Sequence, residues 1–289
     1  MSAGGFENRF WTAPDGLKLH YRDYPGPAEK PPLLCIPGLT RNARDFEPLA
    51  EELAGKWRMI CVELRGRGES DYAKDSATYM PLTYLADLEA LLEQAGIGRF
   101  VAIGTSLGGV LTMMLAASGA ERIAGAVLND IGPVIEPKGI ERIREYVGQG
   151  RTFPTWMHAA RSLKEQSSRL FPDYAIADWL AMAKRLMAVS GNGRIVFDYD
   201  MKIAEPFNVP ADPAAPAVDL WPAWRALRGR PVLAVRGALS DILSARTLKK
   251  MEKEVEGAEA LTLARIGHTP TLGEPEARKA ITKLLAKVA

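Results

Sequence analysis

Cysteine and histidine are scarce in this chain, and its charges nearly cancel. The two cysteines, Cys35 and Cys61, each lie inside an apolar run, which excludes a disulfide framework and predicts reduced, buried thiols. With 37 basic residues against 35 acidic ones the net charge is only +2, so the basic stripe that binds nucleic acid is missing. The densest basic cluster, Lys249–Lys253, is broken by glutamate and reads as the solvated face of a helix. No stretch approaches the ~18 uninterrupted apolar residues of a membrane span, and the opening "MSAGGFENRFW" has no apolar signal-peptide core. Internal repeats and low-complexity tracts are lacking as well. These absences predict a cytoplasmic protein that engages neither nucleic acid nor membrane; oligomeric state is not readable. What is plentiful is apolar surface, at 47% of 289 residues, enough for one large core or two small ones.

The apolar residues fall into a repeating order. "FENRFWTA" and "LKLHYRDY" flank Pro14-Asp15-Gly16, a turn between two alternating runs, and predict a β-hairpin. Short runs apolar throughout follow: "PLLCI" (32–36), "RMICVEL" (58–64), "RFVAIG" (99–104) and "IAGAVLND" (123–130). Helical stripes separate them, one through Phe46, Leu49, Ala50 and Leu53, another through Leu85, Leu88, Leu91 and Leu92. Continuously apolar strands alternating with helices imply a mostly parallel sheet covered on both faces, with ligands bound beyond the strand carboxyl ends.

The stretch from Asp130 to the next strand-like run, "PVLAVRG" (231–237), is far too long for a crossover. It carries helical spacing of its own in Ile140, Ile143 and Val147, and in Ile176, Trp179, Ala183 and Leu186, then a Gly191-Asn192-Gly193 turn and a proline-rich return from Pro206 to Pro222. We expect a core of residues 1–133 and 221–289 with a mostly helical cap, 134–220, inserted in it. The chain resumes with "PVLAVRG", a helix over Ser244–Val255, the strand "ALTLARI" (260–266) and a final helix from about Pro275.

Ser106 stands between the buried strand "RFVAIG" and the helix-like "LGGVLTMMLAA". A serine on so sharp a strand-to-helix turn needs neighbours with almost no side chain, and Gly104 and Gly108 meet that need. The helix start supplies N–H groups and a positive dipole end. A serine hydroxyl needs a base. His20 lies in the hairpin and reads as a surface or packing residue; His158 lies on a helical run and reads as part of a polar face. His268, in the loop after the last strand, is the predicted base. For the acid that orients it, Asp241 after "PVLAVRG" is preferred to Asp130 at the end of "AVLND", because the strand before the histidine-bearing one is the usual acid position in this chain order. Oxyanion donors are expected from the N–H of Leu107 and of Leu39 in Pro37-Gly38-Leu39-Thr40. Arg41 and Asn42 either line a pocket or cap the next helix. No cofactor and no metal are expected.

With "IPGLTRNARDF", "ELRGRGES", "GTSLGG", "GALSD" and "GHTPTLGEP" in this order, the chain resembles the α/β-hydrolase fold family, over residues 33 to 275. It departs at Pro37, where a histidine is often found before the glycine. The resemblance implies a mostly parallel central sheet flanked by helices and a serine hydrolase mechanism. Ser106 differs from the elbow aspartate of haloalkane dehalogenases and epoxide hydrolases. Leu107 stands where prolyl iminopeptidases carry tryptophan, and Thr269 where C–C hydrolases of ring-fission products carry one. The expected activity is hydrolysis of a small to medium carboxylic ester or lactone, with C–C or iminopeptidase-like cleavage as alternatives. A non-catalytic small-molecule receptor on the same fold is disfavoured by the complete set of motifs. Arg41, Trp156 and Trp179 are candidates for the substrate pocket, the tryptophans competing with a role in the cap's own core.

Overall fold

The computed structural model describes residues 5–209 and 218–288; the middle of the proline-rich return and Met1–Gly4 lie outside them. Turning at Pro14-Asp15-Gly16, β1 (Glu7–Thr12) and β2 (Lys18–Tyr24) form the expected antiparallel hairpin. The chain then alternates β3 (Leu33–Ile36), α1 (Glu47–Leu53), β4 (Met59–Val62), α2 (Pro81–Gln94), β5 (Phe100–Thr105), α3 (Leu107–Gly119) and β6 (Ile123–Asn129). Between β6 and the return to the sheet lie α4 (Pro137–Tyr146), β7 (Thr152–Phe153), α5 (Trp156–Ser167), α6 (Ile176–Leu186), β8 (Met187–Val189), β9 (Ile195–Phe197) and α7 (Ala204–Asn208). The last elements are α8 (Trp221–Arg225), β10 (Val232–Gly237), α9 (Ala245–Glu254), β11 (Ala258–Leu263) and α10 (Pro275–Leu285).

Eight strands form one sheet in the order β1-β2-β4-β3-β5-β6-β10-β11, and every pair from β4 to β11 is parallel. β3 to β6 are buried at every position, and their side chains divide by alternation. Leu34, Ile36, Ile60, Val62 and Ala102 join a core with α2, α3, α8 and α9; Leu33, Cys35, Met59, Cys61, Val101 and Ile103 join one with α1 and α10. Each such aliphatic or aromatic side chain removed from water contributes ~1.5–3 kcal/mol, which is why both faces of the sheet need their helical cover. Cys35 and Cys61 are register partners, unbonded; burial pushes the Cys35 thiol well above its usual range.

The segment between β6 and β10 has its own core, in which Ala159, Ala160 and Leu163 of α5 meet Trp179, Met182 and Ala183 of α6. It is less purely helical than expected, since β7, β9 and β8 form a small antiparallel sheet. No helix among the described residues is long and apolar enough to cross a membrane.

Candidate active site

β5 runs into α3 through Ser106, whose φ of 51° and ψ of −115° lie in a sparsely populated region that costs ~1–3 kcal/mol. The surrounding contacts hold it there. Its N–H donates to the Asn129 carbonyl at 3.0 Å, and its carbonyl accepts from the Gly109 N–H at 2.8 Å. The turn brings backbone against backbone: a Cβ on Gly104 would lie 2.3 Å from the Gly108 carbonyl oxygen, and one on Gly108 would lie 2.0 Å from that of Ile36. Any side chain at either position would push Ser106 out of place.

His268 follows β11 and is almost fully buried, its side chain 6% exposed. Its Nε2 lies 3.0 Å from Ser106 Oγ, and its Nδ1 lies 2.8 Å from Oδ2 of Asp130. The expectation that Asp241 would face His268 is corrected here. Asp241 is held by Arg142 of α4, through Nε at 2.6 Å and Nη2 at 2.8 Å. Asp130, directly after β6, is buried completely, and its other oxygen accepts the Gly237 N–H at 2.9 Å. Its φ of 56° is a turn that aspartate tolerates better than most residues. β6 is the immediate neighbour of β5, whereas β10 is one strand further away, so the shorter reach to Ser106's base belongs to Asp130. Asn129 stabilises the same corner by donating to Thr105 Oγ1 and to the carbonyl of Pro270 in the His268 loop.

Leu39 borders the cavity beside Ser106, and Leu107 opens α3. Among the described residues, neither N–H has a hydrogen-bond partner within the protein. The Leu39 carbonyl is fixed from the other side by the buried Arg67, which donates from Nε at 2.8 Å and Nη2 at 2.6 Å; Nη1 donates to the Arg65 carbonyl and to Tyr84. The "ELRGRGES" run thus clamps the loop after β3, a contact no spacing rule reveals. Glu63 of the same run accepts from His20, Glu69 N–H and Ala43 N–H. Burial pushes its carboxyl upward, but these hydrogen bonds outweigh it and hold it below the ordinary range.

The cavity over Ser106 measures about 340 Å³. Its floor is Gly38, Leu39, Ser106 and His268; its apolar wall comes from the inserted segment, through Leu163, Leu170, Phe171, Met182 and Phe197. Arg41 borders it, as expected. Trp156 and Trp179 do not: Trp179 is fully buried against Phe171 and Tyr174, and Trp156 packs on that same core. Asn42 caps the turn before α1 and donates to the Arg185 carbonyl of α6, tying the oxyanion-side loop to the inserted segment. His20 is buried between Glu63 and Asn8, and His158 pairs with Thr155 at the exposed start of α5.

Residues 31–199 match the family model described as the alpha/beta hydrolase fold. A crystal structure of an alpha/beta hydrolase from Novosphingobium aromaticivorans is 61% identical, covers 99% of each chain and superposes with a TM-score of 0.94. The 3-hydroxybutyrate-oligomer hydrolase of Cupriavidus necator is 32% identical over 269 residues, 91% of either chain. The 2-(acetamidomethylene)succinate hydrolase of Mesorhizobium japonicum is 26% identical over 257 residues, 88% of either chain.

Proposed function

The chain belongs to the alpha/beta hydrolase fold family, and from that premise we propose that it is a serine hydrolase of small to medium carboxylic esters. The observation that carries this reading is the continuous line from Ser106 Oγ to His268 Nε2, and from His268 Nδ1 to Asp130, at 3.0 and 2.8 Å. In the proposed reaction Ser106 Oγ bonds to the ester carbonyl carbon as its proton passes to His268 Nε2. The carbonyl electrons move onto oxygen, where the Leu39 and Leu107 N–H groups receive the charge; such a donor lowers the barrier by ~3 kcal/mol. Collapse breaks the bond to the alkoxy oxygen, which takes the proton from His268 and leaves as an alcohol. Water then attacks the acyl-enzyme with His268 again as base, and Ser106 is released with the acid.

Asp130 fixes the histidine tautomer in this scheme, and residues 134–220 act as a cap that limits the acyl and alcohol groups admitted. An oligoester is the substrate by which the Cupriavidus relative is named, which favours an oxygen ester over a C–C or amide bond. A panel of p-nitrophenyl esters tests the reading. Wild type should hydrolyse the short members, and Ser106→Ala should lose at least about 10³-fold in kcat/KM while melting as a folded protein. Hydrolysis undiminished in Ser106→Ala would remove Ser106 as nucleophile.

A further inference from the structure

The charged side chains that border the cavity are unevenly matched. Arg41, Arg142 and Arg151 face it, against Glu145 as the single carboxylate, and Glu145 stands exposed at the rim. The carboxylates that partner the first two arginines are not on the cavity wall. Asp45 accepts from Nε and Nη2 of Arg41 at 2.6 and 2.8 Å. Asp241 accepts from the same two nitrogens of Arg142, also at 2.6 and 2.8 Å. Both guanidinium groups are therefore held rigidly by one edge. Nη1 of Arg41 donates to no group among the described residues, and beside Asp241 the Arg142 guanidinium has only Tyr146, on the same cavity wall, as a side-chain hydrogen-bonding neighbour. Both side chains are only about a quarter exposed.

Tyr146 completes the group. It borders the cavity on the turn of α4 that follows Arg142. Burial pushes its hydroxyl up, while the charges of Arg142 and Arg41 and a hydrogen bond with Arg142 oppose that push; all three side chains border the one cavity. Arg41 also passes close to the reacting serine: a Cβ on Gly38 would lie 3.2 Å from Arg41 Cγ and 3.6 Å from Ser106 Cβ.

A guanidinium with a donor edge turned into a sheltered cavity matches a planar carboxylate, and the one group that could match a cation, Glu145, stands out at the exposed rim. We propose that Arg41, Arg142 and Tyr146 form a carboxylate-binding subsite, and that the substrate is an ester with an aliphatic body and a free carboxylate. The aliphatic body lies along Leu163, Phe171 and Met182, and the carboxylate takes the Nη1 edges. The inference rests on the ester-hydrolase reading and adds the substrate class. Because Asp45 and Asp241 already balance the arginine charge, selection comes from directed hydrogen bonds rather than net attraction. Charge-assisted bonds of this kind correspond to roughly ten- to a hundredfold in kcat/KM.

Two matched pairs test it. Monobutyl glutarate and its carboxamide analogue put the charge on the acyl side; 4-(butanoyloxy)butanoate and its carboxamide put it on the alcohol side. Wild type should prefer the carboxylate member of at least one pair by about tenfold or more. Arg142→Gln with Asp241→Asn, and Arg41→Gln with Asp45→Asn, remove one charge pair each while keeping two groups able to hydrogen-bond. In each double variant the preference should fall toward unity. Calorimetry on Ser106→Ala with the same four compounds reads binding without turnover.

Equal hydrolysis of both members of each pair, with p-nitrophenyl butyrate also cleaved, overturns the subsite and leaves the ester reading standing. A preference that persists in both double variants overturns it too. No hydrolysis by wild type, with Ser106→Ala still binding carboxylates over carboxamides, sinks the ester reading and supports the subsite. Binding of neither by Ser106→Ala removes both.

Discussion

Replacing Asp130 by asparagine changes one atom, and its surroundings dictate what that atom does. Oδ1 of Asp130 accepts the Gly237 N–H at 2.9 Å, and Oδ2 faces His268 Nδ1 at 2.8 Å, in a site closed to solvent. An asparagine has one acceptor oxygen, and the Gly237 donor claims it, because turning the amide round would bury N–H against N–H. The NH2 group must then point at His268 Nδ1, which has to accept. That moves the ring hydrogen to Nε2, the nitrogen 3.0 Å from Ser106 Oγ, where it can no longer take the serine proton. Loss of the correct tautomer in a serine–histidine–aspartate site costs about 10⁴-fold in kcat, or ~5.4 kcal/mol at 1.36 kcal/mol per decade. Asp241→Asn meets a different partner. It weakens the pair with Arg142, breaks neither hydrogen bond of His268 although it removes a nearby negative charge, and should cost less than about tenfold on an uncharged ester. Both variants, assayed with p-nitrophenyl butyrate and checked by circular dichroism, give the comparison. An inactive Asp241→Asn beside a working Asp130→Asn would refute the assignment and restore the acid position expected from chain order.

Two further outcomes follow from the same corner of the fold. Arg67→Lys leaves one ammonium where the guanidinium serves the Leu39, Arg65 and Tyr84 oxygens; kcat should fall at least about tenfold with KM little changed, as for an interaction felt in the transition state, and an unchanged kcat in folded protein would sink the clamp. Glu63→Gln should lower the melting temperature at pH 7, equivalent to ~1–3 kcal/mol. The folded-state Glu63 carboxyl lies below its ordinary range, so its ionised form stabilises above about pH 4.3 and that contribution is lost as pH falls through the folded value. The melting difference between wild type and variant should therefore shrink toward pH 3, and a difference that grows on acidification contradicts the argument.

Ser106 and His268 were legible in the sequence because each follows a run apolar enough to be a buried strand, and a parallel sheet gathers such strand ends along one edge. That logic could not separate Asp130 from Asp241, since both follow strands. The outcome depends on a left-handed turn at Asp130, on the Gly237 N–H, and on a guanidinium 99 positions before Asp241 in the chain. None of these is local. The three short strands β7 to β9 were missed because two or three residues carry no period. Trp179 sits at helical spacing with Ala183 and Leu186, and that spacing could not separate the segment's core, where Trp179 packs, from the cavity, which Leu186 borders. Arg67 sits in a motif that was visible, but its carbonyl partner lies in another loop.

The exchange of partners between the two aspartates has a consequence for how the inserted segment is held. Asp130 already occupies His268, so Asp241 in the loop after β10 is left to bind Arg142 of α4, and the pair fastens the inserted segment to the sheet edge. Asn42 and Arg44 fasten it from the other side, through the Arg185 carbonyl and Asp198. The cavity wall is thus tied at two points to the loops that surround Ser106. On the proposed reading, one of those ties is also the carboxylate subsite, so that substrate recognition and the seating of the segment draw on the same guanidinium. A substrate carboxylate reaching Arg142 would stiffen that tie, whereas a neutral ester would leave it as it stands. The carboxylate preference should therefore show itself in tighter ordering of α4 on binding, readable as slower amide hydrogen exchange across Pro137–Tyr146 in Ser106→Ala with the charged member of a pair and not with its carboxamide.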